Sequence, residues 1–520
     1  MLRRLSVFRG GFTRAAAAAV LSLDAANSKL KTQNSELLLL LAALVDKSLL
    51  RSGADGRYDM HELVRQHAAD RLRADPGEEA DARNRHCRYY AAWLRQREGA
   101  LRGPSQRAVV AEIGAEIDNL RLAGEWAIDQ GCLAEIRQAI RPMGWFYEVR
   151  GWLSEGAALV RRLVDALDGA GAAEDDSGAE RAIALGQALA GLGWFHFRQG
   201  RLDQAGDLLR RSVDLLRACD APQPLADALA YLGFLSCESG QYADARRFLA
   251  EGLALSTSAG DRWTAAFCQA DLGKVAYQLG EYQEARRLLA ERLEAWRALG
   301  DPRGQVCTST ALSAANIRVG DYGAARRRLQ PALAGRGGQY DPWSLASTLD
   351  QFGAIALAQG DYAEADYLFR ESLALFRSID DRWHMAQALN HLGWSSRGLG
   401  LVAEARRYFR EALDLALASR IPPAALEALV GLARDAAPEP ALALLAFVAG
   451  APSGGADVRE RARQLFDDLA AKLPPEQVAV ARRRGQALTL DAAAGLVREP
   501  GPIGLSLGAP LARFATKALA

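Results

Sequence analysis

LGKVAYQLGEYQEA, residues 272–285, is the segment from which the whole chain can be read. Forty residues upstream stands LGFLSCESGQYADA (232–245), and forty before that LGWFHFRQGRLDQA (192–205). Downstream at the same interval come LSAANIRVGDYGAA (312–325), FGAIALAQGDYAEA (352–365) and LGWSSRGLGLVAEA (392–405). The alignment gives fixed rows: Leu192, Leu232, Leu272, Leu312, Phe352 and Leu392; then Gly193, Gly233, Gly273, Ser313, Gly353 and Gly393. A third row is Gly200, Gly240, Gly280, Gly320, Gly360 and Gly400; Tyr242, Tyr282, Tyr322 and Tyr362 follow two residues on, and Ala205, Ala245, Ala285, Ala325, Ala365 and Ala405 close the set. Self-similarity at a fixed period in this range marks a repeat architecture.

Each row has a physical reason. Gly inside a helical pattern costs about 1 kcal/mol relative to Ala, so the Gly193 row predicts a neighbouring helix that must approach closely. The Gly200 row falls where the helical pattern breaks, as a left-handed residue just past a helix end would. The Tyr and Ala rows open a second helix, with Ala leaving room for its partner. Each unit is therefore a helix hairpin whose apolar face is covered only by the next hairpin, which makes a solenoid. In this reading Gly273 is small because the adjacent helix crosses it near Ala285.

These rows resemble the tetratricopeptide repeat in residue order and spacing. The usual period of that repeat is 34 residues, so each copy here carries about six more. They are expected to lengthen the second helix and the join holding Asp261-Arg262-Trp263, Asp301-Pro302, Asp341-Pro342-Trp343 and Asp381-Arg382-Trp383. HEAT and armadillo repeats have similar periods but lack the Gly/Tyr/Ala signature. Paired arginines also recur (Arg246-Arg247, Arg286-Arg287, Arg326-Arg327 and Arg406-Arg407), and a basic stripe for RNA or an acidic partner is one reading. The other is local: Asp244, Glu284 and Glu404 lie three residues before, and Glu251, Glu291 and Glu411 four after, the second arginine, at helical pairing distances. The local reading is preferred.

Composition agrees with a helical, water-facing chain. Of 520 residues half are hydrophobic and 24% charged, and Lys+Arg 64 against Asp+Glu 63 leaves a net charge of +1. That balance gives no overall pull towards nucleic acid or a membrane, and the length predicts three or four domains. Only 18 prolines occur, which favours helix and excludes collagen-like classes. Cys87, Cys132, Cys219, Cys237, Cys268 and Cys307 contain no C-x-x-C pair and no zinc spacing, so they read as reduced core thiols of a cytoplasmic protein. The longest apolar run, Leu37–Val45, is too short to span a bilayer. Arg3, Arg4, Arg9 and Arg14 before Ala15–Leu23 imitate a signal peptide, but the stretch is alanine-rich and Arg14 abuts it.

Residues 1–75 have another texture. ELLLLLAALVDKSLL (36–50) reads as a helix, SGADGRYDM (52–60) as a hairpin turning at Asp55-Gly56, and HELVRQHAADRL (61–72) as a closing helix. This order describes a small winged helix. LSVFRGGFT (5–13), LLAALVDKSLL (40–50) and RYDMHELVRQHAADRL (57–72) resemble the winged-helix segment that follows the nucleotide-binding core in STAND-class signal-transduction NTPases, above all the bacterial regulators with a tetratricopeptide sensor. RHCRYYAAWLR (85–95), EIDNLRLAGEWAIDQG (116–131) and MGWFYEVRGWLSEGAALVRRLVDAL (143–167) resemble the helical module after it, and ARRRGQALTLDAAAGL (481–496) the last helices. The resemblance implies an all-α chain arranged as a winged-helix-like domain with a β-hairpin (1–75), a helical linker module (76–175), six tetratricopeptide-like hairpins (176–420), a degenerate helical cap (421–500) and a flexible tail (501–520). The sequence holds no G-x-x-x-x-G-K-[ST] phosphate loop, so nucleotide hydrolysis is not carried over. The NTPase core would precede residue 1 and the common C-terminal helix-turn-helix would follow residue 500, which makes the chain look like the sensor half of such a regulator.

Searches for other chemistry find little. His61-Glu62 begins an H-E-x-x-H, but Arg65 stands in the place of the second His and His67 is out of register. Gly504-Leu505-Ser506-Leu507-Gly508 fits G-x-S-x-G without the strand or triad a hydrolase needs. Arg65, Arg71 and Arg73 offer the winged helix a route to DNA, which the family resemblance disfavours because there the domain packs on the NTPase core. No catalytic residue, metal ligand or cofactor is expected.

In tetratricopeptide arrays the first helix of each hairpin lines the concave face. Trp194, Arg198, Phe234, Lys274, Tyr277, Arg318, Asn390, Trp394 and Arg397 are the residues expected there, and aromatics mixed with cations suit a protein, a peptide or an anionic small inducer. The alternative for Trp194 and Trp394 is that they cap hairpin contacts. The Lys/Asn clamp with which some such domains hold a C-terminal carboxylate is missing, since Ala190, Ala230 and Ala270 occupy one of its rows. The function expected is thus a non-catalytic recognition scaffold in signal transduction or transcription control.

Overall fold

The computed structural model describes residues 1–21, 30–53, 56–169, 176–334 and 342–497. It is all-α apart from one two-stranded ribbon. The chain begins with α1 (Leu2–Leu5), α2 (Arg14–Val20) and α3 (Leu30–Asp46), then β1 (Arg51–Ser52), β2 (Tyr58–Asp59) and α4 (Glu62–Arg73). β1 and β2 pair antiparallel, Arg51 opposite Asp59, and Phe12 adds a bridge to Tyr58. The expected hairpin is therefore present, although Asp55 of its turn lies outside the described residues. Ala16, Ala17 and Val20, in the stretch that imitates a signal peptide, are buried core of this unit.

A helical module follows: α5 (Pro76–Arg95), α6 (Glu98–Leu101), α7 (Gln106–Ala115) and α8 (Ile117–Gln130). It is fixed to the first unit by polar contacts as well as packing. Asn119 accepts from the Arg9 backbone at 2.8 Å and donates to the Gly11 carbonyl at 2.8 Å, and Glu116 takes the Tyr90 hydroxyl at 2.7 Å and pairs with Arg57.

α9 (Leu133–Arg150) and α10 (Leu153–Gly169) form a hairpin that turns at Gly151, φ 71°. Met143-Gly144-Trp145-Phe146 and Gly151 echo Leu192-Gly193-Trp194-Phe195 and Gly200 of the first repeat. α10 packs on α11 in the same way as later second helices pack on the next first helix, so the solenoid's packing already begins here.

The six repeats are α11 (Asp176–Arg198) with α12 (Leu202–Ala218), α13 (Pro222–Glu238) with α14 (Tyr242–Ser258), α15 (Arg262–Leu279) with α16 (Tyr282–Leu299), α17 (Pro302–Arg318) with α18 (Tyr322–Ala334), α19 (Pro342–Gln359) with α20 (Tyr362–Ser378), and α21 (Arg382–Gly398) with α22 (Val402–Ala418). The turn glycine behaves as its row predicts. Gly200 has φ 73°, its N–H donates to the Phe197 carbonyl and the next N–H, of Arg201, reaches back to His196, both at 2.8 Å; this closes the helix end by the two bonds of a Schellman motif. The Gly193 row is the close-packing row. A Cβ on Gly193, Gly233 or Gly273 would lie 2.8, 2.6 or 2.7 Å from the Cγ of Leu209, Leu249 or Leu289, and the rings of Phe369 and Phe409 stand against Gly353 and Gly393. The residue facing Gly273 is thus Leu289, one turn beyond the expected Ala285.

The residues beyond the usual 34 are placed differently from expectation. The described joins are two or three residues long, three as between Ala218 and Pro222 and two between Leu299 and Pro302, while 335–341 lie outside the described residues; in no repeat is the second helix longer than the first. Asp261, Asp301 and Asp381 are N-caps whose carboxylates accept from Thr264, Gly304 and His384 N–H groups at 3.0, 2.9 and 3.2 Å. Trp263, Trp343 and Trp383 consequently belong to the first turn of the next helix. A second left-handed row runs through Asp220, Gly260, Gly300, Asp380 and Arg420. Its mixed residue types hid it in the sequence.

The tandem arginines pair as the local reading has it. Arg247 meets Asp244 at 2.9 Å, Arg287 meets Glu284 and Glu291 at 2.7 and 2.8 Å, and Arg407 meets Glu404 at 3.3 Å. The described residues end in α23 (Pro422–Ala433), α24 (Pro438–Gly450), α25 (Ala456–Ala470), α26 (Pro475–Gln486) and α27 (Leu490–Gly495), of which α23 packs on the last repeat.

The solenoid winds until its ends meet. Arg420, after the sixth hairpin, pairs with Asp203 in the first. The Tyr242 hydroxyl donates to the Ser453 carbonyl at 3.2 Å, and the Cβ site of Gly280 is 3.0 Å from Ala456. On the other rim Trp145 of α9 stands edge-on to Trp263 at 4.9 Å, and Glu148 of α9 reaches Arg303 of α17 at 3.3 Å. What an open array would leave as a concave surface is here a half-enclosed channel.

Candidate functional site

The channel encloses about 890 Å³. Its wall is one face of each first helix, repeated at the period of the chain. Two rows show the pattern: Trp194, Phe234, Lys274, Ala314, Ala354 and Trp394, and one turn on Arg198, Glu238, Gln278, Arg318, Ala358 and Gly398. The rows are regular in position and irregular in chemistry. Trp194, Phe234, Trp263 and Phe267 make one side aromatic, while Ala311, Ala314, Ala354 and Ala358 leave the side formed by α17 and α19 open. A surface of that kind can hold a ligand with distinct groups along its length, because a constant scaffold carries a different side chain at each step.

Eight of the nine expected residues lie on this channel: Trp194, Arg198, Phe234, Lys274, Tyr277, Arg318, Trp394 and Arg397. Asn390 does not. It is fully buried, and its amide donates to the Ala424 carbonyl at 2.9 Å, so it ties α21 to α23. Trp194 and Trp394 serve the channel and the packing together. Trp194 stacks on Tyr231 at 4.8 Å and donates its indole N–H to Glu148 at 3.2 Å; Trp394 stands edge-on to Phe409 at 5.0 Å and donates to Glu427 at 3.0 Å.

The cations are less free than the sequence suggested. Arg198 pairs with Glu148, Lys274 with Asp271 at 2.8 Å, and Arg397 with Asp435. Arg318 lies 5.4 Å over the Tyr282 ring. Burial opposes the charge on Lys274, yet Asp271 holds its ammonium well above the ordinary range. His391 is similar: burial lowers its pKa, but Asp350 at 2.9 Å raises it to about 9, so the imidazolium stays charged at neutral pH. An anionic ligand is therefore not demanded by an excess of positive charge. Glu238 differs from all of these. It lines the channel and is only part-buried, and it makes no hydrogen bond or ion pair among the described residues. Burial pushes its carboxyl up to about 7, with Lys274 and His384 pulling the other way.

Sequence reasoning missed several wall residues. Trp263, Arg303, Trp343 and Trp383 form a row in the first turn of their helices, and the recurring Asp-x-Trp at that point was the signal. Glu148, the carboxylate that holds Arg198 and Arg303, lies before the repeats and follows no period. In the N-terminal unit Arg65 and Arg73 pair with Glu62 and Asp70 at 2.6 and 2.5 Å. Among the described residues no group of His, Cys, Asp and Glu is arranged to hold a metal, and no helix is long and apolar enough to cross a membrane.

The tetratricopeptide repeat family model matches residues 224–298 and 344–418. Proteins named as HTH-type transcriptional regulators in Mycobacterium bovis and Mycobacterium tuberculosis are 36% identical over 168 residues, which is 32% of this chain and 18% of theirs. The match thus spans under a fifth of the length of these relatives. Among solved structures, a STAND protein with a tetratricopeptide repeat sensor from Pyrococcus horikoshii covers 93% of this chain and 64% of its own length, at 14% identity and TM-score 0.49. NprR in complex with its cognate peptide NprX covers 54% of this chain and 82% of its own, at 17% identity and TM-score 0.42. A Rap protein complexed with competence and sporulation factor covers 70% and 100%, at 14% identity and TM-score 0.43. These likenesses concern shape alone.

Proposed function

We propose that the chain is a non-catalytic sensor scaffold of a signal-transduction or transcription regulator, and that it binds a short peptide, a protein segment or a small inducer inside the superhelical channel. The observation that supports this is the channel itself: about 890 Å³, walled by the same helix face in successive units, with different side chains at equivalent positions. A purely structural solenoid has no need of aromatic rings and charges lining such a channel. In this reading residues 1–75 form a winged-helix-like joint, 76–175 a helical linker, 421–500 the cap and 501–520 a tail. The partial match to regulators supports the regulatory reading. DNA reading through Arg65, Arg71 and Arg73 is disfavoured, because Arg65 and Arg73 are engaged on their own helix.

The test uses a pool of synthetic octapeptides of randomised sequence, equilibrated with the full chain and identified by mass after separation. The wild type retains a subset. Ala314→Trp and Ala354→Trp, which fill the open side of the channel, lose that subset while keeping the wild-type circular dichroism. Equal retention by both variants would show that binding, if any, is elsewhere.

A further inference from the structure

Glu238 occupies the last turn of α13, in the row that holds Arg198, Gln278 and Arg318 in the neighbouring repeats. Arg198 is taken by Glu148, Gln278 lies against Gly455 beside α25, and Arg318 sits on the Tyr282 ring. Among the described residues Glu238 makes no hydrogen bond or ion pair, although it faces the same space. The basic groups closest to it are committed to other acids: Lys274 of α15 to Asp271, and His384 of α21 to Asp381 at 2.8 Å. Tyr242 of α14 and Cys237 on its own helix complete the titratable surroundings. Asp271 and Asp381 thus hold the basic groups nearest Glu238, and a carboxylate partly withdrawn from water is costly without a counter-charge of its own. One turn before it Phe234 presents a ring to the channel, already drawing the Lys274 ammonium to 4.9 Å.

From this geometry we infer that Glu238 is the anchor of a subsite for an organic cation, an ammonium or guanidinium carried on an apolar group, within the ligand channel. The inference rests on the proposed channel function and narrows it: the ligand brings a positive charge to α13 and an apolar body to the aromatic wall. A charge-assisted hydrogen bond to Glu238 is the strong contact, and the rings of the wall supply the cation's second contact. Proton linkage follows from the burial of Glu238. Its carboxyl ionises at about 7 in the free chain, so below that pH a cation must displace a proton to bind.

The experiment titrates the full chain with phenethylammonium and with benzylguanidinium, against neutral 2-phenylethanol and anionic 3-phenylpropionate, following the fluorescence of the channel tryptophans. At pH 8 the cations saturate the signal with at least about tenfold higher affinity than the other two. The two cations separate an ammonium from a guanidinium preference. Glu238→Gln removes the advantage, and as Gln278 fills the equivalent position one repeat on, the variant is expected to fold. The wild type provides an independent readout: calorimetry in two buffers of different ionisation enthalpy shows proton release on cation binding at pH 6 and little at pH 8. Cation affinity unchanged in Glu238→Gln, no proton release at pH 6, or no saturable response in the wild type each overturns the inference. If Ala314→Trp abolishes all responses while Glu238→Gln changes none, the channel reading stands and the cation subsite falls. If Ala314→Trp leaves cation binding intact, both fall.

Discussion

Gly273 and Leu289 meet with no room for a methyl group: a Cβ on the glycine would lie 2.7 Å from the leucine Cγ. Leu289 is fully buried between repeats and has no free end to swing away. Gly273→Leu should therefore overpack the hairpin, at a cost of about 1–3 kcal/mol, more than the roughly 1 kcal/mol of helix propensity that replacing Gly returns. In a solenoid the damage passes to nearest neighbours. Hydrogen exchange should rise across residues 224–340 and stay unchanged in residues 1–75. Wild-type protection throughout 224–340 would show that the row is not a packing row.

Gly240 and Gly320 share the left-handed turn, φ 76° and 78°, but differ in what faces them. A Cβ on Gly240 would meet Ser453 at 2.6 Å, whereas one on Gly320 would have no described neighbour within 4 Å beyond the adjoining chain. Gly320→Ala should cost only the left-handed penalty, about 1–2 kcal/mol. Gly240→Ala should cost that and also push α25 away from the second repeat, breaking the contact from Tyr242 to Ser453. Urea denaturation of the two variants, with exchange measured at residues 452–460, checks this. Equal destabilisation with no local change near Ser453 would contradict the closure of the superhelix.

These pairs show why the fold was legible and much of the channel was not. Leu192, Gly193 and Gly200 answer to constraints that every hairpin shares, so the same residue types return every forty positions. The channel has the opposite logic. At one position it holds Trp194, Phe234, Lys274 and Ala314, and a row that varies leaves no period in residue type. Asn390 illustrates the remaining ambiguity: it sits in the row of Ala270 and Asp350, which do line the channel, but its amide finds the Ala424 carbonyl first. Glu148 had no row to be found by. Helical phase alone places a side chain on a face, and its length and nearest polar partner decide where it ends.

Glu148 is also the carboxylate on which channel closure can be tested. Its side chain is 2% exposed and joins α9 to α11 through Arg198 and Trp194, and to α17 through Arg303. Glu148→Gln removes the charge and leaves both arginines facing a neutral amide. Breaking a buried pair costs about 3–5 kcal/mol; as the arginines keep some contact with water, about 2 kcal/mol is expected here. Chemical denaturation should register the loss. Exchange at the start of α17 should increase more than at the start of α19, which Glu148 does not touch. Glu148→Gln with wild-type stability would mean that the rim contact adds nothing.

The N-terminal unit should weaken in mild acid, and His86 is the reason. Its ring is buried against Phe8 at 5.2 Å and Tyr90 at 4.8 Å, and among the described residues Nε2 has no hydrogen-bond partner. Burial lowers its pKa to about 4, opposed by the neighbouring Asn119 amide and assisted by Arg83. An unfolded histidine titrates near 6.5, so between these values the unfolded chain binds the proton that the folded chain refuses. The neutral ring's contribution is thus complete above about 6.5 and is lost as pH falls through 4. For a shift of this size the loss approaches about 3 kcal/mol, with about 2 kcal/mol gone by pH 5. Since His86 lies where α5 meets the segment carrying Phe8, exchange in residues 1–21 and 76–130 should rise from pH 7 to pH 5 before the repeats respond. In His86→Gln, which cannot titrate, that part of the pH slope should vanish while the other groups keep theirs. A variant as acid-sensitive as the wild type would assign the slope to other residues.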